Sequence, residues 1–373
     1  MRIFHASDHS PNPALPSRIW YYNLVLPLLD LGHDIVPFAY DLRDTFRNLD
    51  PSAPAQRAFI DENRPKLEEQ LLRQVKAAHR ERPIDLFFSY FYSAVCRAEV
   101  IREIRSLGIV TVNWYCNASY QFHLVEEIAP AFDWCFVPEK FRLEDYREIG
   151  ARPVYVQEAA NPTIYQPRAV PLAFDVTFVG QCYGDRPAFI RHLLRKGIAV
   201  RVWGPGWRAP RPRGLFERAR GALRALRDGQ GLGGAAVPPE IAGPPLEDEA
   251  LVAMYSRSRV SLGFSSCGET HRLGERILQV RLRDFEAPMS GAFYIVEHME
   301  ELAEFYEIGK EIITYRDGHE LADMIRHYLA HPAEREAIRR AGQQRALAEH
   351  TWQKRFEKAF EAIGLPPRGE ARR

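Results

Sequence analysis

Apolar and polar positions along this chain repeat in one order. A short apolar run gives way to an amphipathic stretch of helical period, then to another apolar run. Arg2-Ile-Phe-His-Ala predicts a first strand, and Ile19 to Leu31 a helix ended by Gly32. Pro27 lies inside that helix and predicts a kink. Asp34-Ile-Val-Pro-Phe predicts the second strand. Leu67 to His79 predicts a charged amphipathic helix, and Ile84-Asp-Leu-Phe-Phe-Ser-Tyr the third strand. Ala98 to Leu107 predicts a helix ending at Gly108, with Ile109 to Trp114 as the fourth strand. Trp134 to Val137 and Pro153 to Val156 add two more. Repeated strand–helix–strand units predict a parallel sheet with helices on both faces.

The order stops near Asn161-Pro-Thr-Ile-Tyr-Gln-Pro-Arg, where two prolines in a polar stretch mark a boundary. It restarts at Asp175-Val-Thr-Phe-Val-Gly, followed by a helix from Arg186 to Lys196 and a strand over Ala199 to Gly204. Residues 204–245 interrupt it with a Gly-, Pro- and Arg-rich segment. A short basic helix, Leu215 to Leu226, is predicted there. Arg218, Arg220, Arg224 and Arg227 offer a surface for an acidic acceptor or a peripheral contact with anionic lipid; a solvated insertion is the plainer account of them. A helix from Glu247 and a strand from Arg259 resume the pattern. Leu321, Met324, Ile325, Tyr328 and Leu329 then form one apolar helix face. Pro332 opens the next helix, with Glu334 and Glu336 in its first turn, and Thr351 suits the N-cap of a last helix carrying Trp352, Phe356 and Phe360. The fold class is α/β with two Rossmann-like domains, residues 1–165 and 166–345.

Composition narrows the class of partner. A chain of 373 residues suits two domains, and 46% hydrophobic with 27% charged residues is the balance of a globular protein. Lys+Arg 50 against Asp+Glu 49 leaves a net charge of +1, which gives no electrostatic reason to expect nucleic acid. Cys96, Cys116, Cys135, Cys182 and Cys267 are scattered and lack CxxC spacing. That argues against a disulfide framework or zinc site and for a reducing, cytoplasmic setting. The first residues read as a strand and not a signal peptide, and no apolar run is long enough for a transmembrane segment.

The most telling stretch is Arg283-Asp-Phe-Glu-Ala-Pro-Met-Ser-Gly-Ala-Phe-Tyr-Ile-Val. An acid, a small-residue turn and an apolar strand follow without a gap. This order predicts Glu286 at a helix start and exposed backbone N–H groups near Gly291. A carboxylate there holds a ribose, and amides hold a phosphate. The alternative for Glu286 is a first-turn acid that satisfies backbone N–H groups.

The stretch is similar to the R-x-F-E-x-x-x-x-G-A block of the CgeB/YkvP-like bacterial glycosyltransferases, within the two-domain GT-B class. Phe305-Tyr-Glu-Ile-Gly-Lys-Glu-Ile-Ile-Thr-Tyr resembles the segment that follows it in that family. Tyr328-Leu-Ala-His-Pro, Arg339-Arg-Ala-Gly-Gln and His350-Thr-Trp-Gln-Lys-Arg resemble its C-terminal signature. Leu31-Gly-His-Asp-Ile-Val and Phe178-Val-Gly-Gln-Cys-Tyr-Gly-Asp-Arg are weaker matches.

The resemblance implies a nucleotide-diphosphate sugar as donor substrate, UDP being the expected nucleotide, and no separate cofactor. Glu286 matches the ribose carboxylate, and Pro288, Met289, Ser290 and Gly291 the turn whose amides face the diphosphate. Gly180, Gln181, Gly184, Asp185 and Arg186 form the facing half, where a glycine-ended strand admits a ligand and Arg186 neutralises phosphate. Arg283 meets the diphosphate or pairs with Asp284 or Glu286. His271 reaches the sugar or belongs to a plain loop. The last helix, residues 346–373, is implied to pack back on the first domain.

One position departs from the pattern. Leu278 stands where related retaining enzymes carry an acid eight residues before the ribose carboxylate, so the stereochemical course stays open. On the acceptor side, Asp8 and His9 follow the first strand, and either suits a general base; a loop-capping Asp8 and an exposed His9 are the alternatives. His123 and Glu158 are secondary candidates. No DxD-like pair stands at a strand end, so no metal is expected. The acceptor is a glycan, a protein or a small molecule. Two other functions fit the same fold: a nucleotide-sugar epimerase with hydrolysis, and a non-catalytic binding module.

Overall fold

The structure is a computed structural model that describes residues 1–7, 18–45, 47, 49–208, 237–268, 270 and 275–368. Asp8, His9, His271 and the basic segment Arg218–Arg227 lie outside the described residues, and so does the helix expected from Leu215 to Leu226.

The first sheet is built from β1 (Arg2–Ala6), β2 (Asp34–Pro37), β3 (Leu86–Ser89), β4 (Val110–Trp114), β5 (Trp134–Val137) and β6 (Pro153–Tyr155), in the order β2-β1-β3-β4-β5-β6. Every pairing is parallel. β3 is buried along its whole length, as a central parallel strand covered on both faces must be. The helices between these strands are α1 (Leu26–Asp30), α2 (Pro54–Glu81), α3 (Ala98–Ser106), α4 (Ala118–Gln121) and α5 (Leu143–Glu148).

The second sheet repeats the scheme with β7 (Phe174–Val179), β8 (Val200–Trp203), β9 (Ala242–Gly243), β10 (Ser258–Gly263), β11 (Tyr294–Glu297) and β12 (Ile313–Tyr315). Its order is β12-β11-β10-β7-β8-β9, again parallel throughout. Its helices are α6 (Arg186–Arg195), α7 (Asp248–Arg257), α8 (Arg283–Met289), α9 (Gly318–Ala330) and α10 (Pro332–Glu349).

The chain then returns. At Thr351 it bridges Ala160, and α11 (Trp352–Ala362) docks on the first domain. Trp352, Phe356, Ala359 and Phe360 belong to the first domain's core. Trp352 meets Trp114 edge-on at 5.4 Å, and Phe356 meets Phe88 at 5.7 Å. The helix ahead of this return runs to Glu349, so the crossing falls at His350–Thr351, some residues beyond 346.

Three local expectations change. The helix expected from Ile19 opens with a π-turn at Tyr21–Val25, where the Leu26 N–H reaches the Tyr21 carbonyl. Pro27 has no N–H to give and its ring crowds the preceding turn, so the backbone widens just before it. α2 starts thirteen residues ahead of Leu67 and passes through Pro65, because Ile60 is buried as firmly as Leu67, Leu71 and Val75. Part of the segment read as an interruption, Ala242–Gly243, adds a strand to the sheet edge.

Candidate active site

The second sheet grows from β7 one way to β8 and β9, and the other way to β10, β11 and β12. Between β7 and β10 its direction of growth reverses. At such a switch point the carboxyl ends of the strands open a crevice for ligands. Gly180 directly follows β7. A Cβ there would stand 2.7 Å from Cζ of Phe178 and 2.9 Å from Nη2 of Arg283, and a Cβ on Gly204 would stand 2.3 Å from the Gly180 carbonyl oxygen. At Gly204 the backbone itself leaves no room for a side chain, and at Gly180 one would have to displace the Phe178 ring or the Arg283 guanidinium.

Three arginines converge on this crevice. Arg186, at the start of α6, is 2% exposed and donates to the Gln181 carbonyl at 3.0 Å and the Tyr183 hydroxyl at 2.6 Å. Arg186 and Arg283 stand 5.4 and 5.2 Å from the centroid of the same Phe178 ring. Arg281 donates to the Ser266 carbonyl at 2.5 Å. The Nε of each of the three is buried and has no partner among the described residues. Burial pushes the Arg186 guanidinium down to about 10; the Tyr183 hydroxyl opposes this, and repulsion from Arg281 and Arg283 adds to it. Buried cations with unspent donors call for an anion.

Glu286 lies one turn along α8 from Arg283 and is 5% exposed. Its Oε1 has no hydrogen-bond partner among the described residues. The Tyr165 hydroxyl and Asn23 of the first domain both stand beside the carboxyl, and the Asn23 amide does not meet hydrogen-bond geometry. Burial pushes this carboxyl up to about 7, with Tyr165 and Arg283 drawing it back. A buried, unspent acceptor lacks a donor, and a vicinal diol supplies one.

The turn after Glu286 corrects the sequence reading. The N–H groups of Ser290, Gly291 and Ala292 donate to the carbonyls of Glu286, Pro288 and Ala287 at 2.8–2.9 Å. Gly291 has φ 75° and closes the C-terminal end of α8. Its amides are committed, and that helix end carries partial negative charge, which repels phosphate. Pro288 and Met289 are buried in the helix, and Met289 belongs to a core cluster. Ser290 keeps a buried Oγ with no partner among the described residues.

The remaining expected residues divide. Gln181 contributes its carbonyl to Arg186. Gly184 supplies a left-handed turn at φ 62°. Asp185 accepts from Ser266 Oγ and from Arg276 Nε, each at 2.8 Å, so it braces the crevice wall. Asp284 likewise braces: it accepts from the Tyr294 hydroxyl at 2.7 Å and the Arg281 N–H at 2.8 Å, and burial pushes it up to about 6. His123 is exposed and faces Asp50 at 3.6 Å. Glu158 is 6% exposed, with Arg281, Glu139 and Glu286 as charged neighbours, and burial pushes its carboxyl well above the usual range.

Sequence reasoning missed Arg281, Tyr183, Tyr165 and Asn23. Arg281-Leu-Arg283 held a signal: two arginines flanking an apolar residue bring two cations to the start of the helix that carries Glu286. Leu282 does bury itself, in the first domain's cluster. Nothing local marks Asn23, which comes to Glu286 only through tertiary packing.

The first domain closes over this crevice. A Cβ on Gly268 would lie 3.2 Å from the Tyr120 ring. Glu301 accepts from the Tyr155 hydroxyl at 2.5 Å and Gln157 Nε2 at 3.2 Å. Lys140 pairs with Glu304. A cavity of about 690 Å³ opens along this seam, lined by Lys140 and Phe141 on one side and by Leu278, His298, Glu301 and Arg316 on the other. No helix among the described residues is long and apolar enough to cross a membrane.

Comparisons with known proteins agree with this fold. No curated protein sequence matches the chain. Sucrose-phosphate synthase from Thermosynechococcus elongatus superposes with a TM-score of 0.63 at 15% identity over 98% of both chains. HepE of Anabaena, solved with UDP and glucose, superposes with a TM-score of 0.58 at 12% identity, covering 97% of this chain and 98% of that one. A putative UDP-N-acetylglucosamine 2-epimerase from Listeria monocytogenes gives 0.53 at 10% identity over 99% of both. Residues 186–361 match the family described as glycosyl transferase-like. Two facing Rossmann-like domains and a C-terminal helix that crosses back make this the GT-B fold, with a glycosyl transferase-like second domain.

Proposed function

We propose that this chain is a glycosyltransferase that moves a sugar from a nucleotide-diphosphate sugar, with UDP as the nucleotide, to a hydroxyl acceptor. The observation that carries this is the unpartnered Glu286 Oε1, buried one helical turn from a cluster of under-satisfied arginines at the sheet's switch point. A carboxylate and a cationic crevice at that spacing match a ribose joined to a diphosphate. The glycosyl transferase-like match over residues 186–361 and a structural neighbour solved with UDP and glucose support the same reading. The blocks around Arg283 and His350 favour the CgeB/YkvP-like group.

In this mechanism Glu286 accepts from the ribose hydroxyls. Arg186, Arg281 and Arg283 take the charge that develops on the leaving diphosphate, which gives the chain a metal-independent route to departure. The cavity beside Leu278 receives the acceptor. Asp8 or His9, after β1, removes the acceptor proton if the reaction inverts, and Glu158 is a buried acid with Glu286 among its charged neighbours. Closure of the domains about the 161–168 linker excludes water from the donor.

A thermal-shift screen of UDP, GDP and dTDP with their sugars tests the donor site. Stabilisation by the uridine compounds and its loss in Glu286→Ala is expected. Equal stabilisation of both proteins would overturn the assignment. Product analysis with donor alone separates transfer from epimerisation, since an epimerase changes its donor without an acceptor.

A further inference from the structure

A second site stands at the corner between α9 and α10, outside the crevice. His327 lies in the last turn of α9, His331 at the junction, and Glu334 in the first turn of α10. All three are exposed, and one ligand atom from each lies within 4.8 Å of the others. We propose that these residues bind one divalent transition-metal ion of the zinc class, which clips α9 to α10.

Geometry and chemistry both favour this. His327 and His331 are four residues apart, and their rings stack with centroids 4.1 Å apart and an interplanar angle of 21°; a shared ion lies in the plane of each ring, so its binding turns one ring out of this stack. His331 Nδ1 stands 2.7 Å from the His327 carbonyl oxygen. Only a protonated Nδ1 makes that bond, so Nε2 keeps its lone pair. A carbonyl-held imidazole of this kind is the usual support of a metal-bound histidine. His327 Nε2 lies 2.8 Å from Glu334 Oε2, so the proton shared there occupies the place a cation would take. Pro332 fixes the corner, and Arg335 braces it by donating to the Tyr328 carbonyl at 2.5 Å. Two imidazoles and a carboxylate form a three-ligand set that zinc accepts, with water completing its shell. Mg²⁺ prefers oxygen ligands and is expected to be excluded.

The test is zinc titration of the full chain by calorimetry, with a thermal scan of each sample. The wild type is expected to bind one Zn²⁺ in its tightest class and to melt higher with it, whereas Mg²⁺ has no effect. His331→Gln and Glu334→Gln each lose at least about 10-fold in affinity, since loss of an outer-shell partner alone has that effect. His319→Gln, an exposed histidine outside the cluster, retains wild-type binding. Because all three side chains are exposed, the variants keep the wild-type far-UV spectrum and apo melting temperature. No saturable Zn²⁺ binding, or binding left unchanged by His331→Gln and Glu334→Gln, would overturn the proposal. So would equal loss in His319→Gln.

Discussion

Glu286 pays for its position in solvation, and that cost sets a pH dependence. Burial holds its carboxyl near 7, above the 4.5 of an unfolded glutamate. A carboxyl raised on folding stabilises the fold while it is protonated. That contribution is complete below about 4.5 and fades as pH rises toward 7. Ribose hydroxyls donate, so they favour the charged form. UDP affinity is therefore expected to rise from pH 6 to pH 8 in calorimetric titrations. Glu286→Gln should flatten that slope relative to wild type and weaken binding about 10- to 100-fold, the worth of charge-assisted hydrogen bonds. A slope kept in the variant would assign the titrating proton elsewhere. The arginines make a different prediction. Arg283→Ala removes a diphosphate partner, so UDP should bind at least about 10-fold more weakly while uridine binds unchanged. Equal losses for the two ligands would mean that Arg283 shapes the fold and not the phosphate site. At this scale the sequence spoke clearly for Glu286 and Arg186, whose spacing after a strand or before one is local. It was silent on Tyr165 and Asn23, which reach Glu286 from other parts of the chain.

Two glycines show what an element can and cannot disclose. Gly180 and Gly291 both sit at turns between a helix and a strand, and both invite a phosphate-loop reading. Gly180 fulfils the steric part of it: a Cβ would meet Phe178 and Arg283 at 2.7 and 2.9 Å. Gly291 is instead the left-handed cap of α8, at φ 75°. The two roles share a local sequence, a small residue flanked by polar and apolar neighbours. Only the direction of the helix beside the turn separates them. The consequences differ and can be measured. Gly180→Ala is expected to displace Arg283 or the Phe178 ring, lowering stability by about 1–3 kcal/mol and abolishing UDP-induced stabilisation. Gly291→Ala forces a strained φ for about 1–2 kcal/mol and crowds Arg339 and Pro167, but its variant should still bind UDP at wild-type affinity. Loss of binding in Gly291→Ala would restore the phosphate role to the 288–291 turn. The strands themselves were legible because parallel sheets bury both faces and leave continuous apolar runs. α2 was read from Leu67 only, although its buried apolar face begins at Ile60 and continues through Pro65.

The two domains are linked by more than the 161–168 segment, and the second link carries the largest energetic consequence. α11 follows the second domain in sequence yet fills the first domain's core with Trp352, Phe356 and Phe360. Leu282, beside the donor arginines, joins the same core. The proposed donor site is thereby seated on the first domain. An amphipathic last helix with three aromatic residues on one face was visible in the periodicity, which tells which face is buried and never against what; its docking on the first domain came only as an implication of the family resemblance. Trp352 is fully buried and meets Trp114 and Phe356 at 5.4 and 5.5 Å. Its replacement by alanine removes a large core side chain, at about 3–5 kcal/mol. The loss falls on the first domain, whereas the second sheet with its helices keeps its own core. Scanning calorimetry of Trp352→Ala is therefore expected to show an early transition for the first domain, separated from a later one for the second. UDP should shift the later transition and leave the early one in place, because the ligands proposed for it sit mainly on α6 and α8. A single transition at the wild-type temperature would mean that α11 contributes little, and that the 161–168 linker alone couples the domains.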